Sequence, residues 1–186
     1  DDALMNITHV IRGDDHISNT PKQILLYEVY AFPAPQFAHL PLILGQDGAP
    51  LSKRHGAVSL RAFQEEGFLA EALINYLALL GWNPGDDQEI FSLDEMIKRF
   101  SLSKVNSNPA TFDDPKLRWM NGEHIRALDD AGYRGRLLSY LGEFGGLGEA
   151  WKADFFPRAA VLFKGRIKTF KEFLSEADYF FKDQPA

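Results

Sequence analysis

The chain has 186 residues, enough for one medium domain or two small ones, with an apolar share of 45% and a charged share of 25%. With 15 Phe, 6 Tyr and 3 Trp it can bury a substantial core, and no apolar run nears the roughly 20 residues a spanning helix needs, so a disordered chain and a membrane partner are both argued against. Absence of cysteine excludes disulfides and thiolate metal sites, and with no secretory leader at the start a cytoplasmic protein is expected. The formal net charge of −6 runs mildly against a nucleic-acid partner, although one basic face on an otherwise acidic protein is enough for docking.

In chain order, Met5 to Arg12 is β-branched and partly alternating, which predicts a strand ended by Gly13-Asp14-Asp15. Pro21 stands at a first helical position behind the capping candidates Ser18, Asn19 and Thr20, and the helix runs to about Ala31. Phe37 to Leu44 has strand length, with Pro41 making it an edge or irregular strand. Gly45 to Pro50 is a turn-rich loop, and Leu51 to Gly56 is basic and irregular. From Ser59 onward the pattern is helical. Leu69, Leu73, Tyr76, Leu77 and Leu80 form one stripe before Gly81. Ser92 and Glu95 have capping-box spacing, with Met96, Ile97 and Phe100 as the apolar side of a short helix. Asp113-Asp114-Pro115 opens another helix with Leu117, Met120 and Ile125 inward, and Thr169 with Glu172 predicts a second capping box ahead of Phe173, Leu174 and Ala177. A strand–helix–strand unit of this size rarely builds a core alone, so the first part reads as the end of something larger.

Two constellations carry chemistry. Arg12-Gly13-Asp14-Asp15-His16 leaves a strand and enters a helix, where ligands of open α/β sheets bind, and an Arg there can hold a carboxylate through two parallel hydrogen bonds. By spacing alone, a surface turn with an incidental ion pair is the commoner explanation. Leu51-Ser52-Lys53-Arg54-His55-Gly56 places adjacent cations on a loop after an apolar strand, able to stabilise negative charge moving onto a departing phosphate group, though a solvated basic turn is again the plainer reading. Trp119, Arg118 and the pairs Phe155-Phe156 and Phe180-Phe181 are expected in structural, mostly core, positions.

Together and in this order the two segments are more specific. His9 to Gln23 resembles a hallmark segment of glutamyl-tRNA synthetases of the bacterial type, class I enzymes with a Rossmann-type catalytic domain. Leu51 to Ala57 is similar to that family's form of the Lys-Met-Ser-Lys-Ser signature loop. Gly67-Phe68-Leu69, Ala72 to Leu77, Leu80-Gly81-Trp82 and Lys116 to Asn121 extend the likeness to about residue 128, and Lys168 to Phe173 with Ala177 to Phe181 resemble the first helices of the anticodon-binding part.

The resemblance implies a fold class: an α/β remnant, the C-terminal part of a Rossmann-type catalytic domain, followed by a mostly α-helical stem-contact and anticodon-binding region. It divides the chain into 1–46, 47–127 and 128–186. It implies a glutamate–tRNA ligase that forms glutamyl-adenylate from L-glutamate and ATP and passes the glutamyl group to the 3′ end of tRNA(Glu). Arg12 would contact glutamate; Asp15, His16 and Ile43 would contact ATP; Lys53, flanked by Ser52 and Arg54, would bind phosphate during catalysis. No metal site in the protein is implied, Mg²⁺ arriving with ATP, and a monomer is favoured. Two departures stand out: Pro50 replaces the first lysine of the loop signature, and a His-Ile-Gly-His signature is absent. The isolated chain is therefore expected to be inactive. The competing reading is a non-catalytic tRNA-binding helical module, with phosphate contacts drawn from Lys116, Arg118, Arg126, Lys164, Arg166, Lys168 and Lys171.

Overall fold

A computed structural model describes residues 1–52, 59–145 and 156–177. Strand β1 (His9–Gly13) pairs in parallel with β2 (Gln36–Leu40), with Arg12 opposite His39. Parallel neighbours need a crossover, and α1 (Thr20–Val29) supplies it, reached from β1 through a 3-10 turn at Asp14–Asn19. Pro21 lies in the first turn of α1, where a missing N–H costs nothing.

The first strand is shorter than predicted. Asp1 to Ile7 coils into a turn closed by Met5 N to Asp1 O (3.0 Å) and Ile7 N to Asp2 O (3.0 Å), with Asn6 at φ 53°. Backbone groups there are satisfied locally, so there is no drive to extend the strand. The run from Phe37 to Leu44 divides at Pro41. Its second half, β3 (Ile43–Leu44), joins a different parallel pair with β4 (Ala110–Thr111). Proline cannot donate to a ladder, so a break there is the natural outcome.

The helical body follows, with α2 (Leu60–Glu65), α3 (Ala70–Gly81), α4 (Leu93–Arg99), α5 (Asp114–Ala127), α6 (Asp130–Tyr140), α7 (Phe156–Phe163) and α8 (Phe170–Glu176). Two apolar clusters hold it. One joins Phe63, Phe68, Leu73, Tyr76, Leu117 and Met120; the other joins Leu69, Ala72 and Ile125 to the inner faces of α6, α7 and α8. Helices α3 and α5 therefore contribute to both. Leu117, Met120, Ile125 and Phe173 are fully buried, as their spacing predicted.

Three expectations are corrected. Ile97 and Phe100 are 67% and 51% exposed, because only the Met96 row of the short α4 reaches the core. Trp119 is 38% exposed, standing off the inward face of α5 set by Leu117, Met120 and Ile125. The capping box at Ser92 and Glu95 forms in full, whereas the one at Thr169 and Glu172 does not. There Asn121 Nδ2 binds the Lys168 carbonyl and Phe170 N binds the Gly67 carbonyl, so tertiary bonds dictate the backbone on either side of Thr169. The Glu172 carboxylate turns to Lys168 N at 2.6 Å, and the Thr169 hydroxyl is buried without a partner among the described residues.

Gly67, at φ +80°, lets this junction close. A Cβ on it would stand 2.6 Å from the backbone nitrogens of both Phe170 and Lys171, so the turn between α2 and α3 touches the start of α8 directly.

Candidate active site

Arg12 leaves the carboxyl end of β1 and is held from three sides. Its Nη2 donates to Thr20 Oγ1 at 2.8 Å and to Gln23 Oε1 at 2.7 Å, both on α1, while its guanidinium lies over the Phe37 ring at 5.5 Å from β2. Thr20 Oγ1 donates to the His16 carbonyl at 3.2 Å and lies 2.9 Å from His39 Nε2. Asp15 folds back over Gly13, where a Cβ would come within 2.5 Å of its Oδ1. His16 Nε2 sits 3.8 Å from Asp15 Oδ2, with both side chains about half exposed to solvent, which screens the contact. Asn19 Nδ2 reaches His16 Nδ1 at 3.3 Å. Arg12, Asp15 and His16 thus gather at one strand end, as the sequence suggested.

The other expected residues lie on a second element. Ile43 is on β3, and its carbonyl already accepts from Leu51 N at 2.8 Å across a tight hairpin closed by Gly45 N to Ala49 O (2.8 Å), with Gly48 at φ +74°. Its side chain lines an apolar cavity of about 310 Å³ with Ile11, Leu77, Trp82 and Phe100. Gln46 Nε2 ties the hairpin to the Phe112 carbonyl at 2.8 Å. Ser52 follows the hairpin and is exposed; Lys53 and Arg54 lie outside the described residues.

Sequence reasoning passed over Thr20, Gln23 and His39. The two α1 residues were within reach, since a helix starting at Thr20 puts positions 20 and 23 on one face beside the strand that precedes it. His39 was not, because its place opposite Arg12 depends on a pairing register between strands 27 residues apart.

The basic residues of the helical body divide sharply. Arg118 is shared among Asp114, Glu66 and Glu172; Lys116 meets Glu89, Arg126 meets Glu123, Lys171 meets Glu66, and Lys164 meets Asp130 and the Leu128 carbonyl. Arg166 and Lys168 are exposed on either side of the buried Ile167 and have no ion-pair partner among the described residues. Elsewhere, burial lowers the pKa of His124, whose Nε2 lies 3.0 Å from Asn75 Oδ1, with Glu71 pulling the other way. Among the described residues, no group of three or more His, Asp or Glu side chains is placed to hold a metal ion, and no helix is long and apolar enough to cross a membrane.

Residues 1–119 match the family model of class I tRNA synthetases (E and Q), catalytic domain. The chain belongs to this family. It is 51% identical over 187 aligned residues to a glutamate–tRNA ligase of a Sulfurihydrogenibium species, covering 99% of this chain and 38% of that protein. It is 65% identical over 129 residues to the glutamate–tRNA ligase of Aquifex aeolicus, covering 69% of this chain and 27% of that protein. A crystal structure of a glutamate tRNA ligase from Elizabethkingia meningosepticum, in complex with its amino acid, superposes with a TM-score of 0.82 at 33% identity, over 100% of this chain and 40% of that one. The chain thus spans about two fifths of the length of these full-range relatives. Within the synthetase family, an α/β unit followed by a helical body agrees with the predicted fold class at that coarse level.

Proposed function

We propose that the chain supplies part of a glutamate–tRNA ligase: the second half of the site that activates L-glutamate with ATP, and part of the body that docks tRNA(Glu). One observation supports this above the rest. In a chain matching the family model over 1–119, the Arg12 guanidinium is braced by Thr20 and Gln23 at the carboxyl end of a parallel strand, where a substrate carboxylate would arrive.

On this reading Arg12 orients glutamate, and Asp15 and His16 meet ATP beside it. Ile43 contributes to the adenine pocket from the second sheet. Lys53, with Ser52 and Arg54, stabilises charge building on the pyrophosphate as glutamyl-adenylate forms. Mg²⁺ enters bound to ATP as part of the substrate. The glutamyl group then passes to a ribose hydroxyl at the tRNA 3′ end, with no enzyme nucleophile required. The three functional regions are 1–46 (catalytic), 47–127 (signature loop and stem contact) and 128–186 (start of the anticodon-binding part), in a cytoplasmic protein that acts as a monomer.

The test is ATP–pyrophosphate exchange by the full-length gene product. Lys53→Ala lowers the rate by about 100- to 1,000-fold, the cost of removing one preorganised charge-stabilising contact; an unchanged rate rejects the reading. The 186-residue chain alone, which contains no His-Ile-Gly-His sequence, is inactive in tRNA charging.

The helical-module alternative shares one feature with the enzymatic reading, the cations Arg166 and Lys168, which have no ion-pair partner among the described residues. Their joint replacement by Ala flattens the salt dependence of tRNA binding by about two phosphate contacts, whereas Lys171→Ala, already neutralised by Glu66, leaves it nearly unchanged.

A further inference from the structure

The geometry points to Thr20 and Gln23 as positioning residues for substrate, acting through Arg12 to decide which edge of its guanidinium a carboxylate meets; the inference rests on the reading above that Arg12 binds glutamate. A guanidinium has five N–H donors, two of them on Nη2. Both Nη2 hydrogens are spent, one on Thr20 Oγ1 at 2.8 Å and one on Gln23 Oε1 at 2.7 Å. Both parallel forks, Nε with Nη2 and Nη1 with Nη2, are therefore closed to a ligand, so the two parallel hydrogen bonds expected from the sequence give way to donation from Nη1 alone. Nη1 remains free of protein partners among the described residues, and Nε is buried without one.

Thr20 is itself constrained. Its single hydroxyl hydrogen goes to the His16 carbonyl at 3.2 Å, so toward His39 Nε2, 2.9 Å away, it acts as acceptor. The hydroxyl thus has its donor and both acceptor positions filled, by a 3-10 turn, by β1 and by β2. Phe37 lies along the guanidinium at 5.5 Å and restricts its tilt. An arginine side chain has many rotamers, and an unbraced one loses that freedom only when substrate binds. Thr20 and Gln23 remove it beforehand, leaving Nη1 as the presented donor group and one orientation for the incoming carboxylate.

The experiment measures KM and kcat for glutamate and KM for ATP in pyrophosphate exchange by the full-length gene product, with thermal melts of each variant. Thr20→Val and Gln23→Met keep side-chain volume and remove the acceptor. Each raises the glutamate KM about tenfold, the scale of one hydrogen bond to a charged group, with ATP KM unchanged. Thr20→Ser, which keeps the hydroxyl, restores the wild-type value. A purely structural role would instead lower the melting temperature and leave the glutamate-to-ATP KM ratio where it was, which overturns the inference. If Thr20→Val does not fold, Gln23→Met carries the same comparison. Arg12→Ala separates the two layers. A raised glutamate KM in Arg12→Ala without one in Thr20→Val and Gln23→Met sinks the positioning role alone, whereas an unchanged KM in Arg12→Ala sinks the substrate assignment beneath it.

Discussion

Within this chain, which spans about two fifths of the length of its relatives, the first 44 residues and the helical body are held in different ways. Helix α1 has no buried residue, and Leu25, Leu26, Val29 and Tyr30 stand 56–77% exposed. Helices α3, α5, α6 and α8 instead drive Ala72, Leu117, Met120, Ile125, Tyr133 and Phe173 to zero exposure. The candidate substrate residues sit on the thinly packed part, held by hydrogen bonds about Arg12 and Thr20; the helical body is held by apolar contact.

The comparison can be broken in graded steps. Phe173→Ala removes a fully buried ring packed against Phe163 at 5.5 Å and is expected to cost about 3–5 kcal/mol in denaturant unfolding. Gly67→Ala forces a side chain onto a positive-φ residue and into the backbone of Phe170 and Lys171. About 2 kcal/mol or more is expected from strain and displacement together, and a change below about 0.5 kcal/mol would show that α8 is not clamped at this turn.

A pH titration probes the same body more gently. Burial depresses the folded-state pKa of His124, so between the ordinary imidazole value of the unfolded chain, about 6.5, and the lower folded value, the unfolded chain binds the extra proton. Stability contributed by His124 is present above that window and is lost as pH falls through it. Unfolding curves at descending pH should show the loss, and His124→Gln should reduce it. Smallest of all, Val29→Ser on the exposed side of α1 should shift unfolding of this chain by about 0.5 kcal/mol or less. A cost comparable with that of Phe173→Ala would erase the contrast between the two regions.

Much of the candidate site was readable before any coordinates. Arg12, Asp15 and His16 share a strand end because five consecutive residues, Arg12 to His16, carry the chain from extended to turning backbone, a local event. Thr20 and Gln23 follow from the same helix start. His39 joins them only because β1 and β2 pair in one particular parallel register. Ile43 left the first sheet at Pro41 and paired with Ala110 instead, 67 residues away, for which no local pattern exists. The seven candidate phosphate contacts looked alike in sequence, and five proved neutralised by carboxylates, several of them distant in the chain, as Glu66 is from Lys171.

Sequence by itself determined what depends on neighbours within a turn or two. The capping box at Ser92 and Glu95, the α5 start at Asp113 with Pro115, the inward row of Leu117, Met120 and Ile125, and the hairpin turn at Gly48 all rest on short-range hydrogen bonds and helical period. Tertiary structure decided whatever required two distant segments to meet. It redirected Glu172 away from Thr169, brought α8 against Gly67, and matched five of the seven candidate cations to acids, leaving Arg166 and Lys168 without an ion-pair partner among the described residues. The physical reason is common to all three: a side chain's partner is chosen by proximity in the folded state, and only bonds closed over a few residues have that proximity written into their spacing.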